Sequence, residues 1–223
     1  MRITFPHDFI FGTSTAAAQI ETAFDHDWQH VKARDGAVFD RTTDHEHRFQ
    51  EDAEIIASLA PSYRMSLMWS KLQRKPFDTF NSQTVQEYHN FLQDLGRRNV
   101  SIMMVLHHFT NPTWFAKAGG WEKEENVMMW VDFARKVVDE FGQYVSYWNT
   151  FNEPNVYASY GWLTGFFPPF KNNPLLAGKV VKNMGKAHDL IYNYIKQKHP
   201  DQPVGISHNC TIFAAENFLG WFP

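Results

Sequence analysis

The 223-residue chain holds one cysteine, Cys210. A single thiol excludes an internal disulfide framework and suits a reducing compartment, read here as the cytoplasm. No excess of basic residues exists: the formal net charge is −3. The broad positive field that nucleic acid or an acidic membrane would need is therefore missing. No stretch approaches the apolar length of a membrane span. The opening MRITFPHDFIFG has no long apolar run and no small-residue cleavage site, so no signal peptide is read. Internal repeats, low-complexity runs and Gly/Ser linkers are also lacking. Residues 1–223 are taken as one domain of ample size for a core. Aromatic residues, by contrast, are plentiful, at 16% with eight tryptophans. A packed α/β core uses that many rings, and carbohydrate sites also favour flat apolar rings. Composition does not choose between the two.

Strand and helix patterns alternate along the chain. Apolar runs predict strands at Phe9–Gly12 and Ser101–Leu106, and Tyr63–Leu67, Tyr147–Phe151 and Pro203–His208 also read as strands. Helical spacing relates Ile55, Ile56 and Leu59 in Glu51–Ala60, which Pro61 closes. A second helix carries Val85, Tyr88, Leu92 and Leu95, with Asn81 or Ser82 as cap and Gly96 as stop. A third bears Val127, Val131, Ala134, Val138 and Phe141 ahead of Gly142. A fourth bears Val180, Met184, His188, Ile191 and Ile195. His188 reads as a hydrogen-bonded core histidine. This order predicts a parallel sheet covered by helices. A closed (β/α)8 barrel needs eight such units and typically about 250 residues. The chain supplies about five, with long loops at 13–50 and 152–179, and its end at Gly220-Trp221-Phe222-Pro223 does not read as a natural terminus.

The run Trp148-Asn149-Thr150-Phe151-Asn152-Glu153-Pro154 is the most informative segment. It places an amide and a carboxylate at the carboxyl end of a strand, where parallel βα folds carry their chemistry. Taken alone, Glu153 reads more simply as a cap for the helix or loop after Pro154. Asp44-His45-Glu46-His47 has metal-ligand residue types, but neighbours one residue apart should diverge, and no distant third ligand is evident. No metal is expected. His107 and His108 are adjacent on a strand and should face opposite sides. Trp114, Trp121 and Trp162 are candidates for an aromatic platform, and Cys210 is expected to pack.

Several motifs in order resemble the retaining β-glycosidases of glycoside hydrolase family 1. These are FPHDFIFGTSTAAAQIE, DHEHRFQEDAEIIASL, YRMSLMWSKL, LHHFTNPTWF and WNTFNEP. The resemblance extends nearly to Trp221. It implies a TIM-barrel fold of which the first five βα units are present. It implies Glu153 as the acid/base, with Gln19, His108 and Asn152 contacting the sugar and Arg64 standing near the nucleophile. It implies a β-linked glycoside as substrate and no metal or organic cofactor.

The chain departs from that family in places. Lys71 stands where the family usually has Arg, Phe109 where Trp is common, and Thr110-Asn111-Pro112 where Asp-Leu-Pro is usual. The retaining route needs two carboxyl groups about 5–5.5 Å apart. The family's Thr-Glu-Asn-Gly-like nucleophile string does not occur. Its nearest imitation is Ala215-Glu216-Asn217-Phe218, for which a plain loop or helix residue is the competing reading. Three possibilities result: a β-glycosidase, a half-barrel that contacts sugar without turnover, or, ranked last, a binding or scaffold protein that uses the cleft aromatics alone. A half-barrel would expose a sheet edge and call for self-association or a complementing barrel half.

Overall fold

A computed structural model describes residues 4–22, 25–32, 36–38 and 42–210. These residues form a five-stranded sheet in the order β1-β2-β3-β4-β5, parallel throughout. The strands are β1 (Thr13–Ser14), β2 (Ser62–Ser66), β3 (Ser101–His107), β4 (Val145–Asn152) and β5 (Val204–Ser207). Sequential strands are spatial neighbours, as right-handed βα units laid side by side require. The main helices between them are Phe49–Leu59, Ser82–Arg97, Val127–Phe141 and Pro174–Lys198. This is part of a (β/α)8 barrel, open between β1 and β5.

Strand alternation sorts the side chains. Tyr63, Met65, Ile102 and Met104 point to the helices and join one core with Tyr88, Phe91, Leu92, Trp130, Phe133 and Ile191. Arg64, Met103, Asn149 and Ser207 occupy the concave face instead. The Ser82–Arg97 helix is capped by Asn81, whose Oδ1 accepts the Thr84 N–H at 2.9 Å. Its end is set beyond Gly96: Arg98 is the C-cap and Asn99 takes the left-handed conformation (φ 60°). His188 does bond, its Nδ1 lying 2.8 Å from Thr150 Oγ1, though its ring is only half-buried.

Three sequence expectations need correction. The first strand is Thr13–Ser14 and not Phe9–Gly12. The register pairs Thr13 with Tyr63, so residues 9–11 would face Leu59, Ala60 and Pro61. Those residues end a helix and include a proline without an N–H, which leaves no ladder to join. Phe9 and Phe11 instead cluster with Phe5, with ring centroids 4.6–4.9 Å apart and all three exposed. The apolar stripe of the Phe49–Leu59 helix also differs. Ala53 and Ile56 face the core, whereas Ile55 is 49% and Leu59 66% exposed. Cys210, expected to pack, is exposed just past the β5 edge.

These placements set different costs for similar truncations. Leu92→Ala, at a fully buried site, should lower unfolding free energy by about 2–5 kcal/mol. Leu59→Ala should stay within about 0.5 kcal/mol of the parent. Urea unfolding of the two variants checks both, and equal losses would contradict the packing described.

Candidate active site

The carboxyl ends of the strands bring together side chains that lie far apart in the chain. Arg64, on β2, reaches over β3 along the concave face. Its Nη2 donates to Asn152 Oδ1 at 2.6 Å and to Ser207 Oγ at 3.3 Å, and its Nη1 donates to Ser14 Oγ at 3.4 Å. Four strands are thereby tied through one guanidinium. Asn149 joins them, its Nδ2 donating to Ser207 Oγ and its Oδ1 accepting the Ser207 N–H at 3.3 Å.

Asn149 and Asn152 share the concave face although strict alternation would separate residues three apart. A bulge in β4 resolves this. Asn149 pairs with Gly205 and Asn152 with Ser207, so β4 spends one more residue than β5. The two residues between face the helices: Thr150 meets His188, and Phe151 stacks on Trp130 at 4.6 Å.

Glu153 comes immediately after. Its backbone is left-handed (φ 44°, ψ 57°), a conformation that costs a non-glycine residue about 1–3 kcal/mol. Its N–H still bonds Ser207 O at 2.8 Å, and its carbonyl accepts the Tyr157 N–H at 2.9 Å, opening the short helix Pro154–Ala158. The side chain is half-buried, and Oε1 accepts from Asn209 Nδ2 at 3.2 Å. Its charge favours the cationic form of Arg64, although burial outweighs that and lowers the guanidinium pKa.

His108 lies just past the end of β3, next to Arg64. Burial, the Arg64 charge and His107 push its pKa down to about 3, so the imidazole is neutral near pH 7. Its Nδ1 has no hydrogen-bond partner among the described residues. It shares a small cavity of about 70 Å³ with Gln19, Trp28 and Phe109. Gln19 is exposed there, at the short helix Ala17–Ile20. His107 turns away into a ring cluster with Trp121, Phe151 and Tyr157. Thus Gln19 and His108 meet at one cavity, His108 and Glu153 both neighbour Arg64, and Arg64 grips Asn152.

The tryptophans do not form an exposed platform. Trp121 and Trp162 are buried, the indole of Trp162 donating to Glu122 Oε1 at 2.8 Å. They wall a cavity of about 300 Å³ with Tyr157, Phe170 and Asp27. Trp114 is half-buried against Trp69, with ring centroids 5.4 Å apart. Lys71, where the resembling family has Arg, is buried and pairs with Glu87 at 3.1 Å and Glu21 at 3.7 Å.

The acidic His-containing segment also differs from expectation. Its side chains converge: Asp44, Glu46 and His47 offer ligand atoms within 4.8 Å of one another. The left-handed Asp44 and the tight turn His45–His47 gather them. They are engaged locally, however. His47 Nδ1 lies 2.6 Å from Asp44 Oδ1, and Glu46 takes the Thr22 N–H on both oxygens at 2.9 and 3.0 Å. Glu216 lies outside the described residues.

Sequence reasoning missed the Asp27–Asn111 pair. The Asn111 N–H and Nδ2 donate to the two Asp27 carboxylate oxygens at 2.9 and 2.7 Å. Asp27 is an acid in a loop of no clear pattern, and only the departure at Thr110-Asn111-Pro112 hinted at its partner.

A parallel sheet of βα units with polar side chains gathered at its carboxyl ends is the architecture of a (β/α)8 barrel. The chain matches glycosyl hydrolase family 1 over residues 1–216 and belongs to that family. It is 33% identical over 184 residues to beta-glucosidase 11 of Arabidopsis thaliana, covering 78% of this chain and 35% of that protein. It is 30% identical to the 6-phospho-beta-galactosidase of Clostridium acetobutylicum, over 92% of this chain and 45% of that protein. Among solved structures, the beta-glycosidase from Pyrococcus horikoshii superposes with a TM-score of 0.81 at 34% identity, over 92% of this chain and 48% of that one. The Thermotoga maritima beta-glucosidase in complex with deoxynojirimycin gives 0.89 at 27% identity, over 96% and 52%. The chain thus spans about a third to a half of the curated relatives it matches.

Burial lifts the Asp27 carboxyl from 3.8 to about 7, against the hydrogen bonds from Asn111. A raised acid favours the folded state at low pH. Its contribution is fully present below about pH 3.8 and is lost as pH rises through about 7. The stability of the parent relative to Asp27→Asn should therefore fall steadily from pH 4 to pH 7 and level off above. Paired urea titrations across that range check this, and a pH-independent difference would refute it.

Proposed function

We propose that this chain carries the acid/base and sugar-contacting half of a retaining β-glycosidase. One observation supports the reading above others: Glu153 stands at the carboxyl end of β4 beside Asn152, whose amide Arg64 holds at 2.6 Å. In this reading Glu153 protonates the oxygen of the departing group and then takes a proton from the attacking water. Asn152 presents its Nδ2 to a sugar hydroxyl, because Oδ1 is already occupied by Arg64. Gln19 and the neutral His108 bond other hydroxyls. A neutral imidazole can accept as well as donate, which suits a hydroxyl partner.

The second carboxylate has no candidate among the motifs at the described strand ends. Glu216 is the remaining imitation in the sequence. The reading assigns the nucleophile to polypeptide beyond the five described strands, and the substrate to β-linked glycosides. The relatives named above differ in sugar, so the sugar is left open.

The half-open sheet supports a further part of this reading. Phe5, Phe9 and Phe11 stand exposed beside β1, and the β5 edge is unpaired among the described residues. Either a complementing barrel half or a second copy would cover them. Light scattering of the purified chain across a concentration series tests this. A monodisperse monomer that binds no apolar dye would count against it.

Two measurements test the chemistry. A 2-deoxy-2-fluoro-β-glucoside with a dinitrophenyl leaving group barely needs the acid/base, so intact mass after incubation reports the nucleophile alone. We expect no adduct on this chain. A stoichiometric adduct would place the nucleophile within it, with Glu216 the first peptide to map. Deoxynojirimycin titration should show saturable binding, weakened about tenfold by Asn152→Ala, as loss of one buried hydrogen-bonding group implies. Absence of binding to folded chain would sink the sugar-contact assignment.

A further inference from the structure

Asn111 occupies a crossing point behind the line of proposed sugar-facing residues. Its Nδ2 donates to Asp27 Oδ2 at 2.7 Å and to Tyr157 Oη at 2.8 Å. Its Oδ1 accepts from the Trp121 indole at 3.1 Å and lies 3.1 Å from His107 Nε2. With its proton on Nε2, His107 donates to that oxygen as well; the Trp121 indole nitrogen also lies 3.3 Å from the same His107 nitrogen. The main chain adds two more bonds: Asn111 N–H to Asp27 Oδ1 at 2.9 Å, and Asp27 N–H to Asn111 O at 2.9 Å. The residue is 3% exposed, and both amide hydrogens and both lone pairs are used. Asp27 Oδ1 accepts the Asn111 N–H and Oδ2 faces the Asn111 side-chain amide, an arrangement that places nitrogen at that end of the amide when the carboxyl is ionised.

Each bond leads to a different element of the carboxyl end. Asp27 lies in the long loop after β1. His107 closes β3, one residue before His108. Tyr157 belongs to the turn of helix that Glu153 opens, through the Tyr157 N–H to Glu153 O bond at 2.9 Å. Asn111 itself lies three residues after His108, across a tight turn in which the Thr110 N–H bonds His108 O at 2.8 Å and Phe109 has φ 67°. The β3–β4 ladder, which pairs His107 with Phe151, is a second link between the β3 end and the segment that leads to Glu153.

We propose that Asn111, clamped by Asp27, is a positioning residue that sets His108 and Glu153 relative to each other. The roles of those two residues rest on the glycosidase reading above; the positioning itself does not. The position needs polar partners for Asp27, Tyr157 and the Trp121 indole on a short stem, which asparagine supplies and a leucine of similar volume does not. Asp27 acts on the far side of the amide. Its two oxygens take the Asn111 N–H and one amide hydrogen, and Tyr157, His107 and the Trp121 indole meet the rest of the amide.

The test uses the full chain and three variants: Asn111→Leu, Asn111→Asp, and the exchange Asp27→Asn with Asn111→Asp. Proton–nitrogen NMR reports the His108 ring, the Glu153 amide and the Trp121 indole, with circular dichroism to establish folding. In Asn111→Leu the His108 and Glu153 signals should move together with the Trp121 indole. Asn111→Asp sets two carboxylates face to face and should move them as well, which keeps the test usable if the leucine variant does not fold. The exchange restores one carboxylate and one amide across the same contact and should return both signals toward the parent positions. A general loss of packing would not be reversed by trading charge and amide between two positions. Signals of His108 and Glu153 that stay put in a folded variant, or that move and are not returned by the exchange, would overturn the proposal.

Deoxynojirimycin affinity separates positioning from function. A loss of about tenfold in Asn111→Leu, recovered in the exchange, would support both together. A parent chain that binds none, yet shows the reversible NMR displacements, would refute the glycosidase reading and uphold the positioning role.

Discussion

A parallel sheet needs both faces covered, and this chain covers them by different means. Helices bury one face with aromatic and aliphatic side chains. On the concave face the Arg64 guanidinium does much of the corresponding work, bonding Ser14, Asn152 and Ser207 across the strand carboxyl ends. A cation held there is tolerable because acceptors on three other strands face it, with the Glu153 charge nearby. The placements of Asn152, and through it of Glu153, depend on that grip. Polar chemistry and sheet cohesion are thus the same set of bonds at this end of the fold.

The parts of the fold legible in the sequence were those governed by local periodicity. A continuous apolar run located β3, and the strand reading of Tyr147–Phe151 located β4, each to within two residues at each end, and the 3.6-residue stripe of Val127–Phe141 matched its helix. Failures came where partners at a distance decide. Phe9–Gly12 has the composition of a strand, but register sets it against Leu59, Ala60 and Pro61, which offer no ladder. Ile55 and Leu59 keep helical spacing with Ile56, yet sit on a flank that no described element covers. Periodicity says which residues share a face and not whether a neighbour meets that face.

The candidate site shows the same division. The place of Asn152 and Glu153 at a strand end was readable from the strand pattern, whereas alternation said only that His107 and His108 face opposite ways and the family resemblance chose His108. The pairing of Asp27 with Asn111 joins residues 84 positions apart through a carboxylate and an amide of no distinctive pattern. The convergence of Asp44, Glu46 and His47 was equally hidden. It depends on a left-handed residue followed by a tight turn, where the alternation argument for extended chain does not hold. Loops carry more of this site's architecture than the strands do, and loops are where sequence periodicity has least to say.

The bulge in β4 has a consequence for how this segment tolerates changes of length. Because one extra residue lies between Asn149 and Asn152, the polar and apolar sides of the strand exchange parity midway. Deleting any residue between them would restore plain alternation. Asn152 would stay on the concave face opposite Ser207, and the loss would fall on a helix-facing contact, Thr150 with His188 or Phe151 with Trp130. Straightening β4 at constant length is what would turn Asn152 toward the helices, because residues three apart then take opposite faces. The bulge is for that reason as much a part of the proposed active site as any side chain β4 bears.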